Sequence, residues 1–219
     1  MSKYRFDEDF DYFLEQFGEP ENCEPCNEKV ITRYEDKLPQ QLFEYWRELG
    51  WCSYAKGLTW MVNPREYQEI LNQWLRGSVF EDRNDLSVVS RTAFGELSVW
   101  AKSKGEVLKI NPNLNLIFYY PKNDENSFSE EDENEDMRYF WSGKEQEDED
   151  YGDKNDNPLF QRALKKFGSL KKDEQYGYKF SPKLGGNELL DNMYIVKLDV
   201  YHSIASQLEK PELIIIDTR

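Results

Sequence analysis

The sequence predicts a two-domain α+β protein, and three observations carry the prediction. Apolar residues recur at helical spacing on either side of a short apolar hairpin pattern near residues 51–62. A series of short β-type runs follows, up to residue 121. A stretch dense in carboxylates then separates this half from a smaller part that mixes helix and strand. The expected organisation is an N-terminal domain over 1–121, an acidic linker or insertion over 122–156, and a smaller mixed α/β domain over 157–219.

Composition narrows the function classes. The 219 residues, 38% hydrophobic and 15% aromatic, suffice for real cores. A net charge of −15 argues against a phosphate-backbone ligand, whose affinity comes from Lys and Arg. A basic partner is the natural complement, and opposite charge speeds its capture. Met1 leads into SKYRFDEDF, which lacks the basic-then-apolar pattern of a signal peptide. No apolar run approaches the roughly 20 residues that span a bilayer. The expected location is the cytoplasm.

Phe6, Phe10, Phe13, Leu14 and Phe17 share one face of a helix expected from Asp7 to Phe17, which Gly18 ends. Glu19 to Lys29 reads as a polar connection holding Cys23 and Cys26. Pro39 suits a helix's first turn, Leu42, Phe43, Trp46 and Leu49 give that helix its stripe, and Gly50 closes it. Trp51–Tyr54 and Leu58–Val62 read as strands turning at Lys56-Gly57. Asn63 caps the next helix, with Pro64 in its first turn and Tyr67, Ile70, Leu71, Trp74 and Leu75 on its apolar side. Further strands are expected at Leu86–Val89, Ala93–Trp100, Val107–Ile110 and Leu114–Tyr120, with Gly95 marking a bulge or close packing. The order LPxxLxxYWxxxGW…GLxWxVNPxEYxxxLxxWL, followed by RTAFGELSVW, resembles the GAD-like domain, found in bacterial proteins that neutralise toxins delivered by the type VI secretion system.

From Asn123 to Asn157 two acidic blocks stand out: Glu130, Glu131, Asp132, Glu133, Glu135 and Asp136, then Glu145, Glu147, Asp148, Glu149 and Asp150. Only Arg138, Lys144 and Lys154 oppose them. Charge this dense predicts loop or loose order, with Met137–Trp141 docking as a short helical turn. A solubilising linker and a nucleic-acid-mimicking surface both fit; calcium binding lacks the regular Asp spacing of an EF-hand.

In the last part, Asn157 and Pro158 start a helix with Leu159, Phe160, Leu164 and Phe167 on its apolar face, closed by Gly168. Gly168–Gly186 reads as loop, Met193–Leu198 as extended, Val200–Leu208 as helix and Leu213–Ile216 as strand. The pattern NPLFQRALKKFGSLKKDEQYGY…LGG, then YHSIASQL, is similar to the C-terminal domain of the same immunity proteins. Asp173, Glu174, Tyr176, Gly177, Leu184, Gly185, Gly186, His202, Gln207 and Leu208 stand at matching positions. Between Gly177 and Leu184 the chain departs from the family's Phe-x-Pro-Ala-Leu-Ala, placing its proline later, at Pro182.

The candidate chemical sites stand beside blander readings. Cys23-x-x-Cys26 has the spacing of half a zinc or redox site, but reduced surface thiols are expected. His202, the only histidine, reads as a structural residue holding its helix against the Leu-Gly-Gly turn, with Asp199 placed to raise its pKa. Asp173-Glu174 is a possible acid–base pair, or a turn held by side-chain-to-backbone bonds. No catalytic site, cofactor or metal is expected. What the resemblance implies is an immunity protein that binds a cognate toxin, a DNase-type nuclease, and covers its basic groove. The partner-binding residues are then Glu130, Glu131, Asp132, Glu133, Glu135, Asp136, Glu147, Asp148, Glu149 and Asp150. The alternatives are an enzyme acting on the toxin's product through Asp173, Glu174 and His202, and a regulatory or scaffold module.

Overall fold

Aromatic side chains at helical spacing set the first packing layer. The computed structural model describes residues 6–121 and 129–216. Helix α1 (Glu8–Phe17) is capped by Asp7, whose carboxylate accepts from the Phe10 N–H and from the Tyr45 hydroxyl at 2.6 Å. It buries Phe10, Phe13, Leu14 and Phe17. Helix α3 (Gln40–Glu48) follows Pro39, which serves as its N-cap; Gly50, with φ +77°, takes the chain out of it. Strands β2 (Trp51–Tyr54) and β3 (Thr59–Met61) form the hairpin, and α4 (Pro64–Leu75) starts at Asn63, whose side chain accepts from Arg65 N–H.

The connection expected over Glu19–Lys29 is more ordered than its polarity suggests. It contains β1 (Glu21–Glu24) and the start of α2 (Glu28–Tyr34), capped by Asn27. Cys23 of β1 is disulfide-bonded to the buried Cys52 of β2, so the expectation of reduced surface thiols is corrected; Cys26 is the free one. Sequence spacing pointed to Cys23-x-x-Cys26, but antiparallel pairing of β1 with β2 selects Cys52.

Strands β4 (Leu86–Thr92), β5 (Leu97–Ala101), β6 (Gly105–Asn111) and β7 (Leu116–Tyr119) extend the sheet in antiparallel order. The single strand expected from Ala93 to Trp100 is instead a turn plus β5. Gly95, at φ +80°, makes the turn, with its N–H donating to Thr92 O and the Thr92 N–H to Glu96 O. A Cβ on Gly95 would collide with the Gln175 side chain, so the close packing expected there is present.

Much of the described acidic stretch is helical, at residues 130–142 and 146–149, which corrects the expectation of loose order there, while 150–157 is turn and irregular backbone; residues 122–128 lie outside the described part. Helix α5 (Glu130–Ser142) opens with a capping box between Ser129 and Asp132. Its acidic first turn faces the positive end of the helix dipole, the arrangement that stabilises carboxylates. Met137 and Trp141 are fully buried, and Trp141 packs edge-on to Phe10 and Phe13. Gln41 N–H donates to the Asn134 side chain and Arg138 donates to Gln41, tying α5 to α3. Charge density on one side of a helix does not prevent docking through the other.

After the short α6 (Gln146–Glu149) come α7 (Phe160–Phe167), the hairpin of β8 (Glu174–Tyr178) and β9 (Met193–Lys197), then α8 (Leu198–Leu208) and β10 (Glu212–Ile215). Asn157 does not cap α7. The carboxylate of Asp150 does, accepting from Phe160 N–H at 2.8 Å and Leu159 N–H at 3.2 Å. β8 lies inside the stretch expected to be loop; Gly177 sits in it because a side chain there would strike the Tyr201 ring. β10 pairs in parallel with β7, so the sheet runs β1-β2-β3-β4-β5-β6-β7-β10 and the end of the chain completes the sheet begun near its start.

Candidate functional site: an acidic helical face

The family-motif residues assemble at the junction between the two sequence halves. Tyr176 donates its N–H to Ala93 O at 2.9 Å and its hydroxyl to Gly168 O at 2.6 Å. Tyr201 donates its hydroxyl to Asn113 at 2.8 Å and accepts from Tyr178 N–H at 3.2 Å. Burial raises both phenols, to about 12. Arg91 is buried against the Trp60 ring and donates to Lys172 O, fastening β4 to the loop before β8.

His202 is fully buried, and its Nδ1 accepts from the Trp74 indole N–H at 2.9 Å. Its neutral form therefore carries the proton on Nε2. Burial lowers its pKa to about 3, with a smaller opposing effect from the Gly95 backbone. The expected partner and direction are both corrected: His202 holds α8 against α4 rather than against the Leu-Gly-Gly turn. Asp199 turns away, accepting from the Val200 N–H. Asp173 and Glu174 are drawn to Lys197, at 2.5 and 3.5 Å, and Glu174 also accepts from Lys171 N–H. Lys197 holds the Asp173 carboxyl below its ordinary range. Gly185 adopts the left-handed conformation that ends a short 3-10 turn, and Gly186 lies against the Phe180 carbonyl. These residues build the fold; Asp173, Glu174 and His202 do not converge on one centre.

The ten acidic candidates divide by environment. Glu133 is buried and accepts from Ser103 at 2.6 Å. Glu149 is buried with Lys144, at 2.7 Å, and Asp150 caps α7. Asp136 is half-buried over Gly105. Glu130, Glu131, Asp132, Glu135, Glu147 and Asp148 are exposed, with Asp132 closing the capping box and Glu131 paired to Arg138 at 2.9 Å.

The exposed set continues onto α1, which the sequence did not single out. Glu8 and Glu15 are exposed on α1, beside half-buried Asp9 and Asp11. The Asp9 charge contributes to the raised pKa of Tyr139, after the larger effects of Glu135. Gln146 donates to Gln16 O at 2.6 Å, joining α6 to α1. A groove of about 370 Å³ runs between them, lined by Tyr12, Gln16 and the segment 142–147. Tyr12 and Tyr139 are half-exposed, at 51% and 55%, among these carboxylates. Their signal in the sequence is weak: they are what helical spacing leaves outside once the apolar faces of α1 and α5 are assigned. Among the described residues no cluster of His, Cys, Asp or Glu is placed to hold a metal ion, and no helix is long and apolar enough to cross a membrane.

Tyr176, Gly177 and His202 of the motif set are buried, Asp173 and Gly185 are exposed, and an acidic and aromatic face lies open on α1, α5 and α6. Residues 8–114 match the GAD-like domain, and residues 134–209 match the family described as T6SS immunity protein Tdi1, C-terminal. Taken in this order, the two matches are consistent with a two-domain immunity protein of the type VI secretion system, and an immunity domain implies a toxin partner. The crystal structure of Atu4351 from Agrobacterium tumefaciens is similar over 95% of this chain and 92% of that one, with 26% identity and a TM-score of 0.84. No curated protein sequence matches. The C-terminal match begins at residue 134, inside α5, so most of the docked acidic helix falls within the C-terminal matched region, while the GAD-like match ends before it at residue 114.

Proposed function

We propose that this immunity protein neutralises a nuclease toxin by laying the α1–α5–α6 face over the toxin's basic substrate groove, in the cytoplasm and without catalysis. The observation that carries the reading is the placement of Glu130, Glu131, Asp132, Glu135, Glu147 and Asp148 at the surface, continuous with Glu8 and Glu15 and studded with Tyr12 and Tyr139. A groove that binds DNA or RNA is lined with Lys and Arg, and a carboxylate surface competes for it. Glu133, Glu149 and Asp150 support the face from below rather than touching the toxin. The domain limits 1–121, 122–156 and 157–219 are, on this reading, functional parts of one binding body.

The test is association of the purified protein with the basic product of the neighbouring gene. Glu130→Gln, Glu131→Gln, Glu135→Gln, Glu147→Gln and Asp148→Asn together should slow capture about tenfold or more at low salt and flatten its salt dependence. Unchanged kinetics would sink the proposal.

A further inference from the structure

The two edges of the large sheet are finished differently. At one edge β1 reads Glu-Asn-Cys-Glu, with a register shift between Glu21 and Glu24, a positive φ at Asn22 and the Cys23–Cys52 bond. Charge and a bulge of this kind are how natural proteins close an edge to pairing. At the other edge β10 carries Leu213-Ile214-Ile215-Ile216 with no charge in the run. Glu212 N–H and Ile216 N–H donate inward, to Asn115 O and Tyr119 O of the β7 side. By strand alternation the backbone groups of Leu213 and Ile215 point outward. The same two residues keep exposed side chains, 38% and 63%.

The neighbourhood is apolar as well. α8 leaves Val200, Ile204 and Leu208 exposed at helical spacing and leads into β10 through a short turn. The Lys183–Glu212 pair brings the Pro182–Leu184 turn, with exposed Leu184, to the start of β10.

Charge selects the occupant. Residues 200–216 hold two acids and one base, on a chain of net charge −15. A basic partner is drawn to the carboxylate faces, not here. A second copy is repelled by those faces and meets least repulsion at this one. We propose that β10 is a self-association edge at which two copies pair their β10 strands antiparallel about Ile214. In that register Leu213 of each copy faces Ile215 of the other, and each pair exchanges both N–H···O bonds. All four outward backbone groups of the edge are then satisfied, and the two large sheets join into one.

Sedimentation of the intact protein over a wide concentration range, at about 50 mM and about 500 mM salt, tests this, since screening shortens the reach of the −15 charges. The expected result is a dimer that tightens with salt, the opposite trend from capture of a basic toxin. Ile215→Lys and, independently, Leu213→Lys place a charge on an already exposed edge and should weaken dimerisation about tenfold or more, leaving near-ultraviolet circular dichroism and toxin capture unchanged. A monomer at every concentration and salt would overturn the proposal. So would a dimer indifferent to both variants. A monomeric protein whose Ile215→Lys variant loses toxin capture would overturn it too, assigning the edge to the toxin, while the acidic-face proposal stands or falls on its own carboxamide variant.

Discussion

Burying the chain's one histidine as a neutral hydrogen-bond acceptor couples stability to pH. The folded pKa of His202 is about 3, below its ordinary 6.5, so the unfolded chain takes up the proton first on acidification. Stability is whole above pH 6.5 and declines toward pH 3, by up to about 1.4 kcal/mol per unit. Glu96 acts in the opposite sense. Burial raises its carboxyl from 4.5 to about 6, against the lowering influence of Lys109. The folded state therefore holds its proton more tightly, and this contribution is present below pH 4.5 and lost as pH rises through 6. Urea unfolding between pH 6.5 and 4.5 should show a shallow net decline in the native protein, a rise toward acid in His202→Gln and a steeper decline in Glu96→Gln. Equal slopes in all three would refute the assignment.

Steric fit at single residues is equally specific. A Cβ at Gly177 would lie 2.6 Å from the Tyr201 ring, whose hydroxyl holds both Tyr178 N–H and Asn113. Gly177→Ala must displace that ring, and a loss of about 2 kcal/mol or more is expected in denaturant unfolding.

At the scale of elements, two attachments are testable. The Cys23–Cys52 bond spans 29 residues of sequence and holds the edge strand β1 to β2. Cys23→Ser should cost about 3–4 kcal/mol relative to the oxidised protein, the chain-entropy value for a loop of that size. Thiol titration of the denatured oxidised protein should find one reactive group, Cys26. The acidic helix α5 is anchored by Met137 and Trp141, and Trp141→Ala should destabilise by about 3–5 kcal/mol while exposing the segment to protease. Wherever apolar spacing and a capping residue coincided, as at Asp7, Asn63 and the stripes of α1, α3 and α4, the elements were legible in the sequence. The misreadings came from partners distant in the chain. Asp150 caps α7 from ten residues upstream of Phe160, Cys52 takes Cys23 from Cys26, and Trp74 takes His202 across 128 positions. The acidic helix was hidden for another reason: its buried side is only a few residues wide, and composition averaged that side with the charged one.

Across the whole molecule, the densest carboxylate surface and the largest group of exposed apolar side chains lie on different elements. Carboxylates and two half-exposed tyrosines occupy the α1–α5–α6 face, while the near-neutral apolar residues collect around α8 and β10. The sequence showed the acidic blocks but not their sorting, because α1 joins them only after folding. On the proposed reading, exposed charge and exposed aromatic rings have distinct kinetic roles. Exposed carboxylates act at a distance, so neutralising them lowers the association rate and little else. Tyr12 and Tyr139 act only in contact, where amphipathic aromatic rings carry a large share of interface energy. Tyr12→Ala with Tyr139→Ala should therefore leave the association rate and its salt dependence near the native values and raise the dissociation rate about thirtyfold or more, equivalent to about 2 kcal/mol. Stopped-flow association combined with surface-based dissociation separates the two effects. If the tyrosine pair slows association as the carboxamide set does, while dissociation stays native, the face steers the toxin but does not hold it, and the contact lies elsewhere on the molecule.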